Sequence, residues 1–365
     1  MDNEKRTCLY DKHVALGAQM SPFGGFVMPI QYKGIVEEHN AVRNACGVFD
    51  VSHMGEVSVT GADAEKFVNH IFTNDVTTGA PGKCFYGMML NPVGGVVDDL
   101  LVYKRDDDDF FLVINASNID KDVAWIKDCA AGYDVMIDDM SDCLGEIAVQ
   151  GPLSEEVMTG VLGIDCGELA FYTFKTVDID GESVIVSRTG YTGEDGFEVY
   201  ASHDLINRLW DKLIDSGKVE PCGLGCRDTL RFEVGLPLYG NELADDISPL
   251  ESGLGVFVKL DKEEFIGKDA TESLKAAGVS RKLVGIELLD RAIPRHGYEV
   301  LDESGEAVGV VTTGYHAISV DKSLALALID AGHAAVGTPL SVRIRRKTFP
   351  AVVVNKKFYK KSYKN

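Results

Sequence analysis

Apolar residues recur along this chain in two rhythms, at every third or fourth position in some stretches and at every second in others. The first rhythm predicts a helix around Ile35 to Cys46, with Gly47 placed to take a left-handed cap. A second helix starts near Ala62 and gathers Phe67, Val68 and Ile71 on one side. A third, around Ile119 to Ala131, carries Val123, Trp125 and Ile126 and stops before Gly132. Ser202 stands as the N-cap of a helix through Leu205, Leu209 and Leu213, with Gly217 just past its end. The two-residue rhythm marks 96–104 and 110–115 as strands of a hairpin whose turn is the tetrad Asp106 to Asp109. After the helix-like KDATESLKAAG the pattern changes. RKLVGIELL, AVGVVTTG, LALALID and PLSVRIRR are short strand-like runs at the spacing of a small antiparallel barrel or sandwich. Hairpin-like links between helices and strands give an α+β class, divided into a region 1–279 and a β domain 280–365.

Composition adds bounds. The 365 residues are 45% hydrophobic and 25% charged, which suits a globular chain of two or three domains. No apolar run approaches the roughly 18–20 residues that cross a bilayer, and MDNEKRTCLYDKH is charged where a signal peptide needs an apolar core. These features predict a soluble, cytoplasmic protein without a membrane partner. Eight scattered cysteines form no C-x-x-C pair and predict reduced thiols. Cys222 and Cys226 in PCGLGC lack a histidine or further cysteine to complete a metal site. The formal charge of −21 opposes binding to nucleic acid. From Ser341 onward, however, there are nine Lys or Arg and no acid, so the first 340 residues carry 27 − 57 = −30. A basic end on an acidic body would steer an anionic partner, or form a solvated tail.

Three polar clusters interrupt the apolar patterns. In NPVGGVVDDLLVYK, strand alternation puts Asp99 on the face of Val97, Leu101 and Tyr103, and Asp98 on the opposite face. A carboxylate among Val and Leu resists ionisation unless paired, which suits a group that accepts or orients a proton; a solvated strand end is the alternative. In SRTGYTGEDGFEVY, glycines let backbone approach a ligand closely, and a carboxylate accepts a planar N–H pair such as the edge of a pterin; a tight turn with surface charges fits the same residues. In CGLGCRDTLRFEVGLPLYGNEL, Arg227 and Arg231 share a helix face, either to hold an anion or to pair with Asp228 and Glu233. The Asp106 to Asp109 tetrad lacks the spacing of a calcium loop. No G-x-S-x-G nucleophile motif occurs, and His53 in FDVSHMGEV reads as a structural histidine.

Taken in order, LYDKHVALGAQMSPFGGFVMPIQY, GVFDVSHMGEV, NPVGGVVDDLLVYK, RTGYTGEDGFE, RDTLRFEVGLPLYGNEL, FIGKDA and the basic C-terminus resemble the T-protein family of the glycine cleavage system over nearly the whole chain. The resemblance implies an aminomethyltransferase that takes the aminomethyl group from the lipoyl arm of H-protein, passes the one-carbon unit to tetrahydrofolate and releases ammonia. It implies a three-domain cloverleaf with a C-terminal antiparallel β-barrel, tetrahydrofolate as co-substrate and no metal. It puts the catalytic role on Asp99 and folate or substrate binding on Glu198, Arg227 and Tyr363, with Tyr86, Asn115, Tyr191 and Met54 as further pocket residues. Two other readings stand beside it. A folate-dependent demethylation module usually has a fused flavin domain, which this chain lacks. A non-catalytic folate-binding factor carries K-G-C-Y-x-G-Q-E where this chain reads DKEEFIGKDA.

Overall fold

A computed structural model describes residues 4–363. In chain order its strands begin with β1 (Gln19–Phe23), β2 (Phe26–Gln31), β3 (Gly47–Asp50), β4 (Gly55–Thr60), β5 (Lys83–Leu90), β6 (Val96–Asp106) and β7 (Asp109–Ile114). They continue as β8 (Met136–Asp139), β9 (Leu144–Gln150), β10 (Phe174–Ile179), β11 (Glu182–Ser187), β12 (Gly196–Ser202) and β13 (Glu220–Cys222). Helices α1 (Tyr10–Ala15), α2 (Ile35–Asn44), α3 (Ala64–Ile71), α4 (Ile119–Cys129), α5 (Ser154–Val157), α6 (His203–Asp215), α7 (Leu224–Glu233) and α8 (Lys268–Ala277) complete the frame before the last six strands. By its contacts the chain divides into two units: Met1–Gly87, Leu100–Asp228 and Tyr363–Asn365 form one, Met88–Asp99 and Thr229–Ser362 the other.

In the first unit a six-stranded sheet runs in the order β10-β11-β12-β9-β3-β13, antiparallel except where β13 joins β3. Alternation divides its residues by chemistry. Ile147, Val149, Val184, Val186, Phe197 and Val199 pack with Leu205, Leu209 and Trp210 of α6. Their neighbours in sequence, Glu146, Ser187, Glu198 and Tyr200, take the opposite face. There Tyr200 packs with Tyr103, Phe111 and Cys84 from the sheet β5-β6-β7-β4-β8. One face is thus an ordinary apolar core, and the other is buried yet polar. Glu198 stands opposite Ser187 on β11, and Tyr200 opposite Glu146 on β9.

Most local expectations hold. Ser202 caps α6 by accepting from the Leu205 N–H, and Gly217 beyond it has φ +64°. Strands β6 and β7 pair around the acidic turn, where Asp107 meets Lys104 Nζ at 2.7 Å and Asp109 meets Arg105 at 2.6 Å. Gly47 departs from its expected role: α2 stops at Asn44, and Gly47 opens β3 without a positive φ. A Cβ there would lie 2.5 Å from Val42 Cγ2 and 2.7 Å from Cys222 Sγ, so the glycine serves close packing rather than helix termination.

In the second unit, β14 (Arg281–Leu288), β15 (Glu299–Leu301), β16 (Ala307–Ala317), β17 (Lys322–Asp330), β18 (Pro339–Ile344) and β19 (Lys347–Val354) close into a barrel in the order β14-β17-β16-β15-β18-β19. The sequence pattern missed β15, only three residues long, and β19, which contains Pro350 within KTFPAVVV. The basic segment is not frayed up to Tyr359, because the Phe358 and Tyr359 N–H groups both donate to the Glu233 carbonyl at 2.8 Å.

A buried ion pair ties β16 to α7. The Arg231 guanidinium donates to Glu242 Oε2 at 2.9 Å and to Thr313 Oγ1 at 3.0 Å, and Thr313 donates to Glu242 Oε1 at 2.7 Å. Both charged side chains have no exposed surface. Removing one partner strands the other's charge in a site closed to solvent. Glu242→Gln should therefore lower the unfolding free energy by about 3–5 kcal/mol in urea titrations.

Candidate active site

Side chains from distant parts of the chain, Arg43, Gln150 and Tyr363, converge on the loop between β11 and β12. Its glycines were expected to bring backbone close to a ligand, but two of them make room for a side chain of the protein. A Cβ at Gly190 would lie 2.1 Å from Gln150 Oε1, and one at Gly196 2.3 Å from Gln150 Nε2. Threaded between them, the Gln150 amide donates to the Thr189 carbonyl at 3.1 Å and accepts from Thr192 Oγ1 at 2.8 Å. Gly193, with φ +80°, turns the loop. Arg43 holds the loop tip, donating to the Thr192 carbonyl at 2.7 Å and to Glu194 Oε1 at 2.8 Å. Arg188 grips Asp195 through two bonds of 2.9 and 2.6 Å.

Within this frame Glu198 is buried and accepts a short hydrogen bond from Thr189 Oγ1. Burial pushes its carboxyl above the usual range, while the Thr189 hydroxyl, Arg227 and Tyr200 draw it back. The Arg227 guanidinium stacks 4.7 Å from the centre of the Tyr191 ring, so Glu198, Arg227 and Tyr191 gather a buried acid, a base and an aromatic face. Met54 packs against the aromatic cluster of Tyr103, Phe111 and Tyr200. His53 is buried edge-on to Phe23 at 5.7 Å, and burial, reinforced by Arg227, pushes it down to about 4, so its ring is neutral at pH 7.

The other expected residues lie as follows. Tyr86 is half-buried on β5, and its carbonyl accepts from Asn74 Nδ2 at 2.9 Å. Asn115 follows β7, its carbonyl accepting from the Asn118 N–H at 2.9 Å. Tyr363 donates to Glu194 Oε2 at 2.6 Å and accepts from the Asp195 N–H at 3.1 Å, which puts it on the loop tip beside Arg43. Asp99 belongs to the second unit; on β6 it is half-buried while Asp98 is fully buried, so neither is the solvated end of a strand. Arg231 pairs with Glu242, while Arg227 is the arginine of this motif that acts on Glu198. Cys222 and Cys226 do acquire a third neighbour, Glu38, with all three ligand atoms within 4.8 Å. That carboxylate already accepts from the backbone N–H groups of Tyr32, Lys33, Gly34 and Gly223, which explains its burial without an ion.

Residues 9–262 match the family described as GCVT N-terminal domain, and 281–360 match the glycine cleavage T-protein C-terminal barrel domain. The chain belongs to the glycine cleavage T-protein family. It is 51% identical to a protein of Alkaliphilus oremlandii and 49% identical to one of Thermoanaerobacter pseudethanolicus, both named aminomethyltransferase and matched over 100% of each chain. The crystal structure of glycine cleavage system aminomethyltransferase T from Bartonella henselae superposes with a TM-score of 0.94 at 31% identity, over 98% of this chain and 99% of that one.

Sequence reasoning did not single out Gln150, Arg43, Ser187, Thr189, Tyr103, Tyr200 or Glu146 as parts of the site. For the sheet residues the available signal was a polar or aromatic residue at every second position opposite an apolar face. The Tyr363 contact is directly testable. A hydrogen bond to a buried charged group contributes about 1.5–3 kcal/mol, and Arg43 still holds the other oxygen of Glu194. Tyr363→Phe should therefore lower stability towards the low end of that range, read from the urea midpoint at unchanged slope.

Proposed function

We propose that this chain is the aminomethyltransferase of a glycine cleavage system, transferring the one-carbon unit of aminomethyl-dihydrolipoyl H-protein to tetrahydrofolate with release of ammonia and formation of 5,10-methylenetetrahydrofolate. The observation that carries this reading is the buried Glu198 beside the Arg227–Tyr191 stack, in a chain about half identical over its full length to proteins named aminomethyltransferase. A pterin offers a guanidine-like edge of adjacent N–H donors and a flat ring. An ionised carboxylate accepts the first, and an aromatic face or guanidinium packs on the second. Glu198, Tyr191 and Arg227 take these binding roles, with Tyr86, Asn115, Met54 and Tyr363 as further pocket residues.

The reaction starts with a carbon bonded to a lipoyl sulfur and an amine. Loss of the thiolate leaves an iminium carbon, which N5 of tetrahydrofolate attacks; ammonia then departs, and N10 closes the methylene bridge. Asp99 is assigned to the developing cation and to the proton lost by the attacking amine. No step needs an oxidant or a metal. Asp99→Asn should cut turnover by about 10²–10⁴-fold, the usual worth of a positioned acid–base group, while tetrahydrofolate binding persists. The assay mixes the protein with aminomethylated H-protein and tetrahydrofolate and follows ammonia and methylenetetrahydrofolate; wild-type turnover in the variant would remove Asp99 from the chemistry.

H-protein and the folate glutamates are the anionic partners suited to the basic C-terminal segment, where Arg345, Arg346, Lys347, Lys357 and Lys360 are exposed. Association with H-protein should slow about tenfold or more between 50 and 500 mM salt; a flat salt dependence in stopped-flow measurements would contradict electrostatic steering. A cytoplasmic location is supported by the eight cysteines, all of them free thiols.

A further inference from the structure

Two lysines of the second unit stand at a cleft that the transfer reaction leaves unused. The cleft has a volume of about 300 Å³ and lies against the barrel, lined by residues from the loop 250–253, the start of β14, the turn before β18 and the end of β19. Its walls are mostly aliphatic: Leu250, Leu283, Val284, Ala334, Val336 and Val354. Every lining residue belongs to the second unit, so the cleft is complete within it. Val336 is 74% exposed, a large apolar side chain left in water at the cleft's edge.

The polar side chains at the cleft are Glu251, Lys282, Asn355 and Lys356. Glu251 is already neutralised. Arg281 donates to both of its oxygens, at 2.9 and 3.2 Å, and the Ser248 N–H donates to Oε2 at 2.9 Å. Lys356 is half-buried, and its Nζ donates to the Ser252 carbonyl at 2.6 Å. A Cβ on Gly253 would lie 2.7 Å from that nitrogen, and Gly253 has φ +72°, so a glycine stands where the ammonium approaches the loop. Lysines ordinarily lay the stem on apolar surface and carry the head into water. Here the head is turned onto a backbone carbonyl.

Three N–H bonds radiate from an ammonium, and the Ser252 carbonyl takes one. Among the described residues, Lys356 has no ion pair and no second acceptor. Glu242 acts on it from a distance but is enclosed with Arg231 and Thr313. Burial and the neighbouring Lys357 hold the Lys356 amine below the usual lysine range, as suits a cation short of a partner. Lys282 is exposed and has no ion pair among the described residues. The Asn355 carbonyl oxygen Oδ1 accepts from the Lys357 N–H at 3.0 Å, which leaves its amide N–H bonds as further donors.

We propose that this cleft binds an aliphatic carboxylate, with its head on the Lys356 ammonium and its chain along Leu250, Leu283, Val284 and Val354. Charge and walls select it together. The site holds two unpaired ammonium groups and one acid that is already paired, so it favours an anion. An inorganic anion would leave the aliphatic walls wet, and a neutral chain would leave Lys356 without a counterion. A partly desolvated ammonium binds a carboxylate more strongly than an exposed one does. The volume is at the small end of the roughly 300–1,000 Å³ of ligand pockets, which suits a single short chain. None of the residues assigned to aminomethyl transfer lines the cleft, so the inference stands apart from that assignment.

Calorimetric titration of the full chain with acetate, butanoate, hexanoate and octanoate tests the site. Affinity should rise about fourfold for each methylene taken out of water, until the cleft is filled. Octan-1-ol, with the same chain and no charge, and inorganic phosphate, with charge and no chain, should each bind at least about tenfold more weakly than octanoate. Lys356→Gln should weaken octanoate binding about tenfold or more. Val336→Asp sets a like charge at the edge and should weaken it in the same direction. Its position is exposed, so it serves if the glutamine variant does not fold, as judged by the urea midpoint. Absence of saturable octanoate binding, or wild-type octanoate affinity in the folded variants, would overturn the proposal. So would octan-1-ol or phosphate binding as tightly as octanoate, since either would leave one half of the site without a role.

Discussion

A carboxylate buried between two sheets must be given donors that cannot leave, and much of the first unit is arranged around meeting that demand at Glu198. The cost of an unmatched charge in such a place exceeds what one side chain recovers elsewhere. The six-stranded sheet meets it by spending one face on an apolar core with α6 and the other on hydroxyl, carboxyl and aromatic groups. Arg227 supplies the opposite charge, and its stack on Tyr191 holds the guanidinium near the acid while leaving it planar.

The same logic runs through the loop that precedes β12. Its charges look like a solvated turn in the sequence, yet Arg43, Arg188, Glu194 and Asp195 pair with one another in a buried lattice closed by the Tyr363 hydroxyl. The lattice fixes the backbone from Arg188 to Gly196, and with it the positions of Thr189 and Tyr191. In the second unit Arg231, Glu242 and Thr313 do for the barrel what Arg43, Glu194 and Tyr363 do for the loop. Two arginines of one helix, four residues apart, thus serve different ends: Arg231 is enclosed and structural, and Arg227 faces the candidate site.

Much of this was legible in the chain itself. Strand alternation separated Asp98 from Asp99, and the structure finds them differently buried. The N-cap at Ser202, the acidic hairpin turn and the barrel strands followed from local chemistry, because each depends on residues a few positions apart. Motifs spread along the whole length indicated the family, and the matched residues 9–262 and 281–360 agree.

What local pattern left undecided was the use to which a residue is put. Gly47, Gly190 and Gly196 carry the signature of turns or ligand loops, but their neighbours Val42, Cys222 and Gln150 arrive from other segments, and only the fold shows that the missing Cβ makes room for them. Tyr103 and Ser187 read as ordinary strand residues, yet 84 positions apart they share a hydrogen bond, and Tyr363 reaches Glu194 across 169. The sequence by itself determined which positions face inward, since side-chain direction repeats every two or 3.6 residues. Only the tertiary structure decided which inward groups meet, because register between strands and the packing of one sheet on another bring together atoms that no local period relates.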